Sequence, residues 1–340
     1  MQCHYAGVIF ALVFAAAPAV AQNVKITPVG SHPGELCAND RATIFEDPSG
    51  VRILYDAGHT VTGGDDPRLG DIHVVLLSHV HGDHIGDEKL KAIGAGTCAN
   101  SERVPAGPNS TTAEVAAAKN AAIVMTIDMG TFIARKVQNI RGKPVGVCPQ
   151  ADGATVVPVA VPCRSNTHLG GVFVAKAPNA TQGVEITIVY ASHANNVPLS
   201  LLSEAQRANL GPDDTSIILG PPTGYILKFT NGLVAYLSGD TGIHTEMKTV
   251  VNDYHKATLA VLNLGESTGS FNSGAHAMNE LVRPTSIILT HATEAVTDGG
   301  KLRPNSRTAA VMKQLKAPAY PAISGRTMEF DSRGKCIAGC

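Results

Sequence analysis

The chain has 340 residues, 44% of them hydrophobic and 16% charged, enough apolar material for a large core. Its 27 Lys and Arg face 28 Asp and Glu, a net charge of −1 that lacks the basic footprint of a nucleic-acid binder. Beyond the N-terminus no segment approaches the roughly 20 apolar residues that cross a bilayer, so no stable membrane association is expected of the mature chain.

The N-terminal segment reads as an address. Residues 6–17 are apolar but too few to span, and they run into Ala19-Val20-Ala21 and then polar Gln22 and Asn23. This is the layout of a secretory signal peptide, 1–21, removed on export to the periplasm or medium. Residues 1–7 carry no Lys or Arg, which is atypical. The alternative, a buried first helix, would be terminated badly by Pro18.

The remainder, 22–340, shows no repeat and no long linker, and is read as a single domain. Short runs rich in Val and Ile, bounded by Gly, Pro or Asn, predict strands over 24–29, 51–56, 72–78, 156–161, 184–191, 225–230, 233–238, 259–264 and 286–290. Asn231-Gly232 predicts a hairpin turn between two of them. Helical patterns cover 111–120, 202–209, 246–255, 275–282 and 306–315. Two β-rich halves, each followed by helices, imply stacked sheets with helices outside. The Gly-, Ala- and Ser-rich stretch 95–108 is expected to be a flexible loop near the site mouth.

Cys3 would leave with the signal. Cys37, Cys98, Cys148, Cys163, Cys336 and Cys340 remain, an even set that suggests disulfides in an exported protein. The spacing leaves the pairing open, with the local pairs Cys148–Cys163 and Cys336–Cys340 preferred. No pair has the C-x-x-C spacing of a zinc ribbon.

The decisive stretch is Leu76-Leu77-Ser78-His79-Val80-His81-Gly82-Asp83-His84. An apolar strand ends abruptly in His-x-His-x-Asp-His. Residues two apart on an extended chain point the same way, so His79 and His81 can grip one ion together. Gly82 is expected to let the chain turn and bring Asp83 and His84 to a second ion. Imidazole and carboxylate suit Zn2+, with Mn2+ or Fe also feasible.

This segment resembles the signature of metallo-β-lactamase-fold hydrolases, and later residues resemble the remaining motifs in order. The resemblance implies an α/β fold, a four-layer αββα sandwich. It implies that Asp56, ending Val51-Arg52-Ile53-Leu54-Tyr55-Asp56, braces the metal loop without binding metal. It further implies a first ion on His79, His81 and His193, and a second on Asp83, His84 and His291. Asp240, in Ser238-Gly239-Asp240-Thr241-Gly242, would be shared between two divalent ions. The stretch from Gly224 to Lys248 is similar to the branch that includes the ascorbate-phosphate lactonase. His32, His59, His73, His168, His255 and His276 receive no ligand role, although His59 sits beside a motif loop. His244, Asn195 and Asn196, near motif residues, are weak candidates for substrate contact.

Two metal ions that share a water lower its pKa towards roughly 7, so hydrolysis needs no serine or cysteine nucleophile. Asp83 is expected to orient the water and pass a proton to the leaving group. The expected function is an exported dinuclear hydrolase acting on a carbonyl substrate, a lactam, lactone or ester. Alternatives are a periplasmic zinc β-lactamase, a phosphodiesterase of the same fold, and a non-catalytic metal-binding protein. The partner expected is a small-molecule substrate. Known zinc β-lactamases carry Cys or Ser where Asp240 stands, and the near-zero charge argues against polynucleotides.

Overall fold

The computed structural model describes Met1 and residues 22–340 except 212, 213, 215 and 266–270. The expected signal peptide, apart from Met1, lies outside the described residues.

Two large sheets form the centre. The first runs Cys163–Arg164, Ala122–Val124, Val74–Leu76, Arg52–Tyr55, Thr43–Glu46, Val24–Pro28, Met328–Phe330 and Cys336–Ala338. The second runs Thr155–Val156, Val172–Lys176, Val184–Tyr190, Thr223–Lys228, Val234–Leu237, Leu259–Asn263, Ser286–Thr290 and Ala319–Pro321. Their inner strands are apolar on both faces, which is why the sequence there reads as continuous hydrophobic runs. Alternation then sorts the side chains. Ile53, Tyr55, Val74 and Leu76 point between the sheets and meet Ile186, Ile188, Tyr225 and Leu237. Leu54, Val75 and Leu77 point outward, onto Val115 of Thr111–Ala118 and Met129, Ile133 and Val137 of Ile127–Arg141. On the far side Tyr236, Leu262 and Ile287 meet Met247, Val251, Met278 and Val282 of the outer helical segments. The layers are helix, sheet, sheet, helix, as the resemblance implied. Truncating a core leucine such as Leu76 to Ala would cost about 2–5 kcal/mol.

Most predicted elements appear, shortened at their ends. The strand expected over 156–161 is not one: only Thr155–Val156 pairs, because Pro158 and Pro162 have no N–H for a ladder. The stretch 95–108 has fixed partners instead of being a free loop. Gly96–Thr97 pairs with Asn100–Ser101, and Arg103–Pro105 with Glu88–Leu90. Cys98 is joined to Cys37, a pairing the sequence did not suggest, while Cys148 meets Cys163 and Cys336 meets Cys340. No helix among the described residues is long and apolar enough to cross a membrane.

One edge of the sandwich collects the chemistry. Arg52–Tyr55 and Val74–Leu76 run parallel, as do Val234–Leu237 and Ser286–Thr290 on either side of Leu259–Asn263. Val184–Tyr190 reaches the same direction through two antiparallel pairings. Asp56, His79, His193, Asp240 and His291 therefore all follow strand C-termini at one edge.

Candidate metal centre

The motif loop is anchored before any ligand is placed. Thr223 donates to the Ser78 carbonyl through its N–H (2.8 Å) and its hydroxyl (3.0 Å). The Tyr225 hydroxyl donates to the Leu77 carbonyl at 2.7 Å. The chain then leaves the strand with His79 and His81 exposed to the centre and enters the single helical turn Gly82–Ile85. Gly82 does not serve as the turn residue. Its φ is not left-handed, and its lack of a side chain makes room for the Asp87 carboxylate, where a Cβ would clash. The left-handed residue is Gly86, with φ +80°. Asp56 (φ 45°) and His291 (φ 53°) also hold left-handed backbone, which non-glycine residues adopt at a cost of about 1–3 kcal/mol.

The structure brings seven residues together in overlapping sets. His79, His81 and His193 form one; His79, His84 and Asp240 a second; Asp83, His84 and His291 a third. Within each set the ligating atoms lie within 4.8 Å of one another. Asp240 Oδ2 is 3.3 Å from His84 Nε2 and 3.3 Å from His291 Nε2. Asp83 Oδ2 is 3.5 Å from His291 Nε2. The two Nε2 atoms of His84 and His291 face each other at 3.1 Å.

These atoms fit a cation. His84 Nδ1 lies 2.7 Å from Asp56 Oδ2, which places its proton on Nδ1 and leaves the Nε2 lone pair pointing inward. With the His84 ring neutral, as metal ligation requires, the lone pairs of imidazole and carboxylate converge on the centre. His79 Nε2 is buried and has no hydrogen-bond partner among the described residues, an orphan that a metal would satisfy. Burial, then the neighbouring His84, pushes His79 well below the usual histidine range. Burial also lowers His81 and His193, the direction that favours the neutral ring that ligation requires. His84 is the exception: burial and Arg41 lower it, but Asp240, Asp56 and Asp83 outweigh them and raise it to about 9. Surrounded by carboxylates, the ring takes up a proton where a cation would otherwise balance the charge.

No known family profile matches the chain. A UPF0173 metal-dependent hydrolase of Cupriavidus metallidurans is 27% identical over 282 residues, covering 77% of this chain and 75% of its own. One from Polynucleobacter asymbioticus is 24% identical over 299 residues, covering 83% and 81%. Among solved structures, Igni18, described as a novel metallo hydrolase from Ignicoccus hospitalis, superposes with a TM-score of 0.54 at 20% identity. That match spans 91% of this chain and 99% of Igni18. The chain shares its fold with Igni18 and is similar in sequence to relatives named metal-dependent hydrolases.

Other residues hold the centre in place. Asp56 is fully buried and accepts the Ser78 N–H (2.8 Å) and hydroxyl (2.7 Å) besides facing His84. Asn263 donates to Asp240 Oδ1 at 2.9 Å, which leaves Oδ2 for the histidines. Asp40, through its carbonyl, accepts the His291 N–H at 2.8 Å. Arg41 was not anticipated from the sequence. Its buried guanidinium donates to Asp83 Oδ2 at 2.6 Å and to the Asn39 carbonyl at 3.1 Å. Burial alone would raise Asp83, but Arg41, followed by His84 and His291, holds it far below the usual carboxylate range.

The expected substrate contacts fare differently. Asn195 is not free to reach a substrate: its Nδ2 donates to the Leu219 (2.9 Å) and Gly220 (3.1 Å) carbonyls, and its Oδ1 accepts the Val80 N–H (2.8 Å). It ties the His193 loop to the motif loop. Asn196 donates to Ser216 Oγ at 2.9 Å. His244 packs edge-on to Tyr190 at 5.3 Å, and both its ring nitrogens are buried without partners among the described residues. Burial pushes it below the usual histidine range. His59 faces Asp87 at 2.7 Å and joins no ligand set.

Proposed function

We propose that this protein is an exported hydrolase that uses two divalent cations, zinc foremost, to cleave a small carbonyl substrate: a lactam, lactone or ester. The observation that carries the reading is Asp240, whose Oδ2 stands 3.3 Å from both His84 and His291 while the carboxylate also groups with His79. A carboxylate in that position can join a three-histidine set to an Asp-His-His set. When bound, two such ions supply an activated water near neutral pH and draw charge from a substrate carbonyl.

The chain's own groups do the rest. His79, His81 and His193 would hold one cation and Asp83, His84 and His291 the other. Asn263 orients Asp240, Asp56 fixes the His84 ring, and Arg41 fixes Asp83. Asp83, its side chain 35% exposed, would orient the attacking water and relay its proton to the leaving group. Manganese and iron suit the same donors, but a hydrolytic role asks only for a Lewis acid, which zinc supplies without redox chemistry. Export is supported by the N-terminal apolar segment with its Ala-x-Ala step and by three cysteine pairs.

A carbonyl substrate is favoured over a polynucleotide phosphodiester because the net charge of −1 offers no basic surface to a polyanion, an argument that small phosphodiesters escape. The test is a hydrolysis screen of zinc- and manganese-loaded protein, residues 22–340, against β-lactams, lactones, carboxylic esters and bis-p-nitrophenyl phosphate. A carbonyl substrate should be cleaved fastest, and His81→Ala should abolish it. Faster cleavage of the phosphodiester would overturn the substrate class. No metal-dependent turnover of any of them would favour a metal-binding protein without catalysis.

A further inference from the structure

The helix Ile127–Arg141 has two working faces. Met129, Ile133 and Val137 pack on the first sheet. A second stripe, Phe132, Arg135, Lys136 and Asn139, has the i, i+3, i+4, i+7 spacing of a single face and walls a cavity of about 840 Å³. The segment carrying Ser200 and Arg207 forms the opposite wall, and Asp87 completes it. None of the seven metal-centre residues lines this cavity. Its volume falls in the range of small-molecule pockets, roughly 300–1,000 Å³.

The charges in this cavity do not balance. Arg135 and Arg207 are exposed and make no ion pair among the described residues. Lys136 is buried, and its ammonium is met only by neutral groups. It donates to the Leu201 carbonyl at 2.7 Å and to the Pro108 carbonyl, and lies 4.7 Å from the Phe132 ring centroid. Asp87 is already engaged by His59 at 2.7 Å and by the Ser200 hydroxyl at 3.3 Å. Among the lining residues only Glu204 remains to answer three cations.

We propose that this cavity is a second binding site, distinct from the metal centre, for a small hydroxylated anion carrying a carboxylate or phosphate group. The Arg135 and Arg207 guanidinium forks suit two-point contact with such a group. Asn139 and Ser200 supply the polar partners for its body.

Calorimetric titration at pH 7 tests the site. Glycerol 3-phosphate and lactate would be added to zinc-loaded protein, to an R135A/R207A variant and to His81→Ala, with glycerol as the uncharged control. At least one anion should bind saturably, persist in His81→Ala, and weaken at least tenfold in R135A/R207A. The anion that binds more tightly identifies the class. Both arginines are exposed, so the double variant should fold, and circular dichroism verifies this. Loss of all binding in His81→Ala would place the anion on the metals and overturn the proposal. Unchanged binding in R135A/R207A, binding of glycerol equal to that of the anions, or no saturable binding would do the same.

Discussion

Asp83 owes its position to Arg41, a residue 42 places earlier in the chain. The guanidinium is buried, so removing it leaves a carboxylate without its fixed donor at the centre's edge. Arg41→Met should lower kcat/KM or zinc affinity about 10–100-fold, the usual effect of losing a residue that orients a metal ligand. Zinc competition with a chromogenic chelator reads the affinity, and an unchanged value together with unchanged kcat/KM would remove Arg41 from the account. His244 makes a different case. Both its ring nitrogens are buried beside Tyr190 with no partner among the described residues, so as the side chain stands no substrate reaches them, and His244→Ala should leave KM little altered. At this scale the sequence was legible where residue type alone announces chemistry. His79, His81, Asp83 and His84 stand together in the chain, and His193, Asp240 and His291 each follow a recognisable apolar strand. Arg41 was not legible, because its role depends on which distant carboxylate a long side chain reaches. Asn195 was misread for a related reason: an amide beside a ligand looks the same in sequence whether it faces substrate or backbone.

The helix Ile127–Arg141 went unread, although its signals were present. Asp128 lies in its first turn, and Met129, Phe132, Ile133, Lys136 and Val137 are buried at helical spacing. Gly142, left-handed at φ 66°, closes it. The apolar run of Ala122–Val124 immediately before it blurred the change of period from strand to helix, and Gly130 and Thr131 weakened the propensity. Short edge strands such as Met328–Phe330 carry too few residues to show a period at all. Lys136 on this helix links the 105–108 and 200–202 segments through two carbonyls, and burial pushes its ammonium down to about 8. Its folded pKa lies below the unfolded value of about 10.4, so the unfolded chain binds more protons between those limits. Stability from this group should therefore rise as pH climbs from about 8 to about 10.4, and Lys136→Met should flatten that rise in urea unfolding curves. A rise of equal size in the variant would contradict the assignment. The Cys37–Cys98 pair, 61 residues apart in sequence, should contribute up to about 4 kcal/mol by restricting the unfolded chain. Comparing C37S/C98S with the parent by thermal unfolding, under non-reducing conditions, measures it.

For the whole molecule, the sandwich accounts for both the stability and the placement of the site. Strands that are apolar on both faces bring five loops to one edge, and those loops carry the seven candidate ligands and Asp56. The layer order was readable from the alternation of strand-rich and helix-rich stretches. The substrate was not, because it depends on loop shape around the centre, and pairings such as Gly96–Thr97 with Asn100–Ser101 and Asn196–Val197 with Ile217–Ile218 are announced by no local pattern. Export makes its own prediction: protein recovered from the periplasm or medium should begin at Gln22 by intact mass, with its six remaining cysteines resisting alkylation until reduced. Retention of Met1 in soluble protein would count against it. The central claim is a two-ion centre joined through Asp240, and zinc titration of metal-free protein with ester hydrolysis followed in parallel tests it most directly. Binding should saturate at two equivalents per chain, activity should reach its plateau there, and Asp240→Ala should lose occupancy at both positions. Saturation at a single equivalent, or an Asp240→Ala variant that still binds two, would contradict it.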